Sequence, residues 1–298
     1  MSFPSVIDSS MISDYKNCPM RFWLRYCEHW KPKGTQVDLH AGGSFAHGLE
    51  AARRAYYERG EPSEDAIGQG LSALLSFYGE AECPPDSAKS AERTAGALEY
   101  YFDQYPMETD EASPLQLTDS KRAIEFSFAH PIPLSHPETG DPILISGRMD
   151  MLCEFAGGIF IEDDKTTSSL GATWGRKWDL RAQFSCYAWG VQLSGFPVQG
   201  VLVRGVSILK TKYETQQAVT YRPQWQIDRW YEESLEVIEN MIRDYQRNRF
   251  LHNLGDSCVS FRGCDFRHVC LSQDAIPWLE QYFDRRAWNP VTREETSL

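Results

Sequence analysis

The stretch ILISGRMDMLCEFAGGIFIEDDKTT, residues 143–167, decides the fold. Two runs rich in Ile, Leu, Met and Phe flank the turn residues Ala156, Gly157 and Gly158, which is the local pattern of a β-hairpin. Side chains alternate between the two faces of a strand, so Asp163 and Lys165 share one face. The stretch therefore predicts two antiparallel strands with charged groups on one face.

The pairing of the two strands has two alternatives, and both bring the same charges together. A loop of Ala156 and Gly157 sets Asp150 opposite Asp163, whereas a loop of Gly157 and Gly158 sets it opposite Lys165. Opposed Cβ atoms lie about 4.5–5.5 Å apart, where like charges are destabilising. The carboxylates therefore indicate a divalent-metal site with a lysine beside it, a constellation suited to phosphodiester hydrolysis. The alternative is a surface hairpin with an ordinary Lys165–Asp150 ion pair, worth about 0–1 kcal/mol.

The spacing of these residues resembles a known family. Asp150 followed by Asp163-Asp164-Lys165 resembles the PD-(D/E)XK nuclease superfamily, and the sequences GRMD at 147–150 and DDKT at 163–166 resemble its RecB-like branch. The resemblance implies that Asp150, Asp163 and the backbone carbonyl of Asp164 hold Mg²⁺ or Mn²⁺. It also implies that Lys165 orients or deprotonates the attacking water.

A helix over 42–59 carries a further candidate ligand. By itself, His47 on this helix would be an ordinary packing or surface residue. The RecB-like family, however, has a metal-binding histidine on a helix upstream of its aspartate strand, so the resemblance implies His47 as the third side-chain ligand. Glu50 lies one turn further along the same face and is expected to support it.

A second helix, predicted over 179–194, carries candidate DNA contacts. Gln183 and Tyr187 are four residues apart and share a face of this helix. Their spacing resembles a RecB-like motif that positions the DNA backbone. Arg176, Lys177 and Arg181 lie just before them and are expected to contact the same backbone.

Three cysteines near the C-terminal end, Cys258, Cys264 and Cys270, have five residues between each pair. Zinc sites usually begin with a gap of two to four residues, whereas [4Fe-4S] clusters take four thiolates at less regular spacing. CRISPR-associated RecB-like exonucleases and AddB-type nucleases have one cysteine before the core and three after it. That resemblance implies a [4Fe-4S] cluster with Cys18 as fourth ligand, although the family often has its first two trailing cysteines only two residues apart. Two alternatives stay open: His268 as a substitute ligand, and structural zinc in place of the cluster.

Composition sets the class of protein. With 42% hydrophobic and 13% aromatic residues in 298, the chain is predicted to be globular. It has no 18-residue apolar run, no signal-peptide pattern and no P-loop, so we expect a cytoplasmic protein with neither a membrane span nor a motor of its own. The net charge of −12 is unevenly distributed, because residues 165–229 hold 9 basic and 3 acidic residues. Cations therefore flank the proposed site.

The order of predicted elements gives an α+β class: a PD-(D/E)XK restriction-endonuclease-like core with a mixed central sheet flanked by helices, and a helical rim clamped by the iron-sulfur cluster. We expect a single nuclease domain over 1–298. Within it lie an acidic helical subregion at 42–118, a sheet core with the active site at 119–222, and a cysteine rim formed by 1–30 and 252–271. Residues 271–298 match no pattern.

The resemblance implies an exonuclease that acts on single-stranded DNA or DNA ends. The expected settings are recombination, CRISPR adaptation or phage DNA metabolism in a bacterial, archaeal or phage-infected cell, with a helicase, recombinase or integrase as partner. Two other classes stay open: a non-catalytic DNA-binding or scaffolding protein of the same fold, and an iron-sulfur redox sensor. The first would normally have lost part of the set His47, Asp150, Asp163 and Lys165.

Overall fold

The computed structural model describes residues 2–34, 36–81, 83–85, 87–259, 263–292 and 294–298. The chain forms two compact units. Unit 1 consists of Met1–Gly34, Ser127–Gly147 and Gln224–Leu298, and unit 2 of Thr35–Phe126 and Arg148–Pro223. No helix within the described ranges is long and apolar enough to cross a membrane.

The helices and strands occur in the following order. The helices are α1 (Ser9–Asn17), α2 (Pro19–Phe22), α3 (Val37–Arg59), α4 (Ser63–Tyr78), α5 (Ala91–Gln104), α6 (Ala182–Leu193), α7 (Gln224–Gln246), α8 (Arg267–Leu271) and α9 (Ile276–Tyr282). The strands are β1 (Val6–Asp8), β2 (Trp30–Pro32), β3 (Ser113–Pro114), β4 (Gln116–Thr118), β5 (Lys121–Arg122), β6 (Ile124–Ser135), β7 (Pro142–Phe155), β8 (Gly158–Thr167), β9 (Val198–Ile208), β10 (Tyr213–Tyr221), β11 (Phe283–Asn289) and β12 (Glu294–Ser297).

The sheet of unit 2 is mixed. Strand β8 pairs antiparallel with β7 and parallel with β9, and β9 pairs antiparallel with β10. Strand β9 is buried almost throughout, as expected for a central strand with both faces covered. The predicted α+β class with a mixed sheet and flanking helices is confirmed.

The hairpin of β7 and β8 has the first of the two predicted registers. Met151 pairs with Glu162 and Phe155 pairs with Gly158, so the loop is Ala156-Gly157. Both loop residues have positive φ, 49° and 78°. This is the backbone of a type I′ turn, whose twist matches that of paired strands.

Helices α3, α4 and α5 pack together over one face of this sheet. Their apolar side chains and the inward side chains of β9 form one core cluster, which includes Phe45, Leu49, Leu74, Leu98 and Val206. Gly205 points to the other face, where a Cβ atom would overlap the ring of Trp174. Helix α3 begins at Val37, earlier than the predicted start at Gly42, and ends as predicted at Arg59.

Unit 1 contains the N-terminal helices and the long helix α7. A break at Cys18-Pro19 separates α1 from α2, and a π-helical turn follows at Trp23–Cys27. The N-cap of α1 is Asp8, because its carboxylate accepts hydrogen bonds from two first-turn N–H groups. Helix α7 buries a stripe that includes Ile227, Trp230, Ile238 and Met241.

The C-terminal residues 271–298 have regular structure that the sequence pattern did not reveal. Strand β11 pairs with both β12 and β2, so the last residues join a sheet begun about 250 residues earlier. The Trp288 indole N–H donates to Asp8 at 3.0 Å, and Lys31 forms an ion pair with Glu295 at 3.2 Å. The segment is therefore part of unit 1.

Candidate active site

Strand β8 presents Asp163 and Lys165 on one face. The two side chains form an ion pair, and Asp163 is only 2% exposed while Lys165 is 31% exposed. The buried carboxylate and the partly exposed ammonium group thus meet at the end of β8, where the lysine remains accessible to a ligand.

Asp150 joins this pair from the neighbouring strand. Its carboxylate accepts a hydrogen bond of 2.6 Å from the backbone N–H of Asp164. The regular pairing of β7 with β8 extends only to Met151 and Glu162, and Asp150 is the next residue of β7 beyond it. The structure thus brings Asp150 against the Asp163-Asp164 segment, where the two strands stop pairing.

The side chain of Asp164 is held on the opposite face of β8. One carboxylate oxygen accepts from Arg53 at 2.9 Å, and the other accepts from the Tyr101 hydroxyl at 2.7 Å. Arg53 also forms an ion pair with Glu162, whose side chain is fully buried. The backbone N–H of Asp164, and not its carboxylate, therefore contacts Asp150, and the ligand role of the Asp164 carbonyl stays a prediction.

His47 does not join the aspartates in this structure. Its exposed ring stacks on Phe77 of α4, with ring centroids 4.1 Å apart. Glu50 binds Arg54 at 2.9 Å and lies 3.7 Å from Arg148. In the part of the chain that the structure describes, no three His, Cys, Asp or Glu side chains are arranged to hold a metal ion. The ligand role of His47 stays a prediction, because stacking on Phe77 holds the ring in a different position.

Glu125 is a site residue that the sequence analysis missed. It lies on β6 and forms an ion pair with Arg148, two residues before Asp150. Burial, and then the charge of Asp150, raise the pKa of Glu125 to about 7. Its φ of 53° lies in the left-handed region, which costs a non-glycine residue roughly 1–2 kcal/mol. Neither the strain nor the burial has a sequence signal, because Glu125 lies in an ordinary alternating strand pattern.

This shifted pKa predicts that Glu125 makes the metal-free protein less stable as the pH rises. Below about pH 4.5 the carboxyl of Glu125 is protonated in both the folded and the unfolded protein. Between about pH 4.5 and about pH 7 only the folded protein retains this proton. The free energy of unfolding should therefore fall over that interval. Glu125→Gln should reduce the fall, as measured by urea denaturation in EDTA from pH 4.5 to 8. Identical pH profiles for variant and parent would contradict this assignment.

The predicted DNA contacts lie on α6 and the turn before it. The Gln183 side-chain amide donates to the Tyr187 hydroxyl at 2.7 Å, so these residues share a face as predicted. Arg176 and Lys177 lie on a 3₁₀ turn, Gly175–Trp178, and both are exposed. The pKa of Lys177 is lowered by partial burial and by the positive charges of Arg181 and Lys165. A cationic surface therefore adjoins Lys165.

The four predicted cluster cysteines lie around one cavity in unit 1. Cys18, Cys258, Cys264 and Cys270 all line a space of about 210 Å³. The Cys264 N–H donates to the Cys258 carbonyl at 3.0 Å. The pKa of Cys270 is raised to about 11 by burial and by the three other cysteines. Four thiols from two distant segments thus share one space.

Comparisons with known proteins agree with this fold. The sequence profile of the PD-(D/E)XK nuclease superfamily matches residues 9–271. Among solved structures, the chain is similar to that of a "Putative exonuclease" from Eubacterium rectale, with 12% identity over 89% of this chain and 87% of that chain and a TM-score of 0.51. At this identity the likeness shows the fold alone.

Two further comparisons add no argument. The structure of SSO0001 shares 13% identity over 65% of this chain and 74% of that chain, with a TM-score of 0.29. A search of curated proteins found no match.

The family profile covers most of the sequence, including the strands with Asp150, Asp163 and Lys165. The chain belongs to the PD-(D/E)XK nuclease superfamily.

Proposed function

We propose that the protein is a divalent-metal-dependent deoxyribonuclease, acting as an exonuclease on single-stranded DNA or DNA ends. The single observation that carries this proposal is the hydrogen bond from the Asp164 N–H to Asp150 beside the Asp163–Lys165 ion pair, where β7 and β8 stop pairing. Two carboxylates and an amine at one point are the groups that metal-assisted phosphodiester hydrolysis requires.

The donor set suits a hard cation. Asp150 and Asp163 supply carboxylate oxygens, the backbone carbonyl of Asp164 supplies a third, and His47 would complete the set after its ring leaves Phe77. Oxygen-rich sites favour Mg²⁺ and Mn²⁺. When bound, such an ion would supply Lewis-acid polarisation of the scissile phosphate.

The remaining chemistry belongs to the side chains of this chain. Lys165, paired with Asp163 and partly exposed, would orient the attacking water as an ammonium or, after losing its own proton to solvent, deprotonate it. In its ammonium form it would stabilise charge that develops on the phosphate. Arg176 and Arg181 would bind phosphates through their guanidinium groups and Lys177 as a point charge. Gln183 and Tyr187 would hold the backbone of one strand by hydrogen bonds.

The test of this function is a time course of DNA cleavage in Mn²⁺. Substrates labelled at the 5′ or the 3′ end, in single- and double-stranded form, separate exonuclease from endonuclease action and reveal polarity. We expect progressive shortening from one end, and no cleavage in EDTA. If DNA remains intact with Mn²⁺ and Mg²⁺, a non-catalytic DNA-binding role would replace this proposal.

We also propose that the cysteine cavity holds a [4Fe-4S] cluster. The support is the shared cavity of Cys18, Cys258, Cys264 and Cys270, together with the preference of such clusters for four thiolates. The cluster would join the N-terminal helices to the C-terminal segment. Its expected role is to stabilise unit 1, because none of its ligands belongs to the strands that carry Asp150 and Asp163.

Cys264→Ser should abolish iron binding by the anaerobically purified protein. The variant should lose its iron because each cluster needs all of its thiolates. The parent should be brown, with about four irons per chain. Cys83→Ser is the matched control, since Cys83 lies outside the cavity and its thiol donates to the carbonyl of Pro84. The measurements are the iron content and the absorbance at roughly 400 nm, where thiolate-bound iron absorbs. A colourless parent that contains zinc would contradict the cluster.

A further inference from the structure

The back face of the catalytic strand carries a second buried set of polar groups. Glu162 and Asp164 alternate with Asp163 and Lys165 along β8, and their side chains are 0% and 4% exposed. Two groups from the packed helices meet them: Arg53 of α3, also 4% exposed, and Tyr101 of α5, 1% exposed. All of these residues belong to unit 2.

The hydrogen bonds of Asp164 connect the two faces. Arg53 and Tyr101 each donate to a different oxygen of its carboxylate, at 2.9 and 2.7 Å. Arg53 also donates to the Tyr101 hydroxyl oxygen at 2.9 Å, so helix α3, helix α5 and strand β8 are joined in one ring of hydrogen bonds. The backbone N–H of the same Asp164 donates to Asp150. A shift of Asp164 would therefore move the hydrogen bond that orients Asp150.

We propose that Arg53 and Tyr101 are positioning residues for the metal-binding carboxylates. By fixing the side chain of Asp164, they fix its backbone, which holds Asp150 through the N–H and carries Asp163 and Lys165 on either side. The inference rests on the proposed function, since it concerns the same cation site. Hydrogen-bonding partners behind a ligand typically change metal affinity or activity by about 10- to 100-fold when removed.

The test is the Tyr101→Phe variant, which removes one hydroxyl and keeps the ring. Tyr57→Phe is the matched control, because Tyr57 lies on α3 in the same unit and donates to a backbone carbonyl, that of Met107, at 3.2 Å. Tyr57→Phe loses a hydrogen bond to a neutral carbonyl, whereas Tyr101→Phe loses bonds to charged groups, so a purely structural role of Tyr101 predicts a lower melting temperature but unchanged metal binding. A second variant, Arg53→Lys, keeps the charge beside Glu162 and loses the planar fork that reaches Asp164 and Tyr101 together.

Mn²⁺ binding to the full-length, metal-free protein is measured without DNA, from the paramagnetic resonance signal of free Mn²⁺. We expect Tyr101→Phe to weaken Mn²⁺ binding about 10- to 100-fold. Arg53→Lys should weaken it at least as much, and Tyr57→Phe should bind Mn²⁺ as tightly as the parent. In cleavage assays, Tyr101→Phe should lower kcat at fixed Mn²⁺ and leave KM for DNA unchanged.

Two outcomes distinguish the failures. If the parent binds Mn²⁺ and Tyr101→Phe binds it equally well with an unchanged kcat, the positioning role is overturned and the proposed function stands. If the parent binds no Mn²⁺ at all, the proposed function fails, and the positioning role fails with it.

Discussion

A Lys165→Ala variant is expected to cleave DNA about 10²- to 10⁴-fold more slowly than the parent, the usual contribution of a positioned proton-transfer group. Lys165 is the ammonium group that contacts Asp163, and it is exposed enough to reach a bound substrate. Its removal leaves Arg53, Tyr101 and the core unchanged, so the fold should persist. The measurement is the single-turnover rate of cleavage of end-labelled DNA in Mn²⁺, with circular dichroism to verify folding.

Lys212→Ala is the control for the loss of a positive charge. Lys212 is also in unit 2 and also pairs with an acid, Glu214 at 2.6 Å, but it is 61% exposed. Its replacement should leave the cleavage rate within about twofold, because surface ion pairs contribute little. Equal cleavage rates for Lys165→Ala and the parent would exclude Lys165 from the chemistry.

An Arg204→Met variant is expected to lose about 3–5 kcal/mol of unfolding free energy, the usual result of removing one partner of a buried ion pair. Arg204 is 1% exposed and lies opposite Asp164 on β9. It donates two hydrogen bonds of 2.6 Å to Asp110 and lies 3.5 Å from Glu162. Methionine would fill much of the volume of the arginine side chain. It would leave the carboxylates of Asp110 and Glu162 without the positive charge of Arg204. Urea denaturation followed by circular dichroism measures the difference.

The loss should depend on pH. Burial raises the pKa of Glu162 to about 7, against the opposing charges of Arg204 and Arg53. Without Arg204 the pKa rises further, so ionised Glu162 destabilises the folded variant more than the parent. The difference between them should therefore be larger at pH 8 than at pH 6. Arg229→Ala, at an exposed ion pair, serves as the control. An Arg204→Met variant no less stable than Arg229→Ala would contradict this account of the buried charges.

The hairpin shows how much of the site can be predicted from sequence. Side chains alternate between the two faces of a strand, so every second residue lies on the same face. This rule alone assigns Asp163 and Lys165 to one face and Asp164 to the other. The sequence allows both registers because Gly157 can occupy either position of a two-residue loop. The structure resolves it through Ala156, which adopts a positive φ that a sequence rule would assign to glycine first.

The buried network behind β8 could not be predicted in the same way. Arg53, Tyr101, Glu162 and Arg204 are separated by up to 151 positions in the chain and carry no shared spacing. These side chains are buried because α3 and α5 pack on the sheet, and such tertiary packing joins segments that are distant in sequence. The same holds for Glu125, whose positive φ and burial have no signal in the sequence.

The C-terminal segment and His47 mark two other limits. Strand β11 pairs with β2, and a pairing between short strands so far apart leaves no local periodicity to detect. For His47, the family resemblance implied a ligand, but the ring packs on Phe77 because aromatic stacking is favourable there. The four cysteines line one cavity, but no three metal-ligating side chains in the described residues are arranged to hold a metal ion, so the cluster stays a proposal.

The most direct test of the central claim is the anomalous scattering of a crystal of the protein grown with Mn²⁺. We predict a Mn²⁺ peak bonded to the carboxylates of Asp150 and Asp163 in the parent, and none in Asp163→Asn. A parent crystal with no peak between these two carboxylates, or with Mn²⁺ bound only elsewhere, would contradict the claim that they form a nuclease centre.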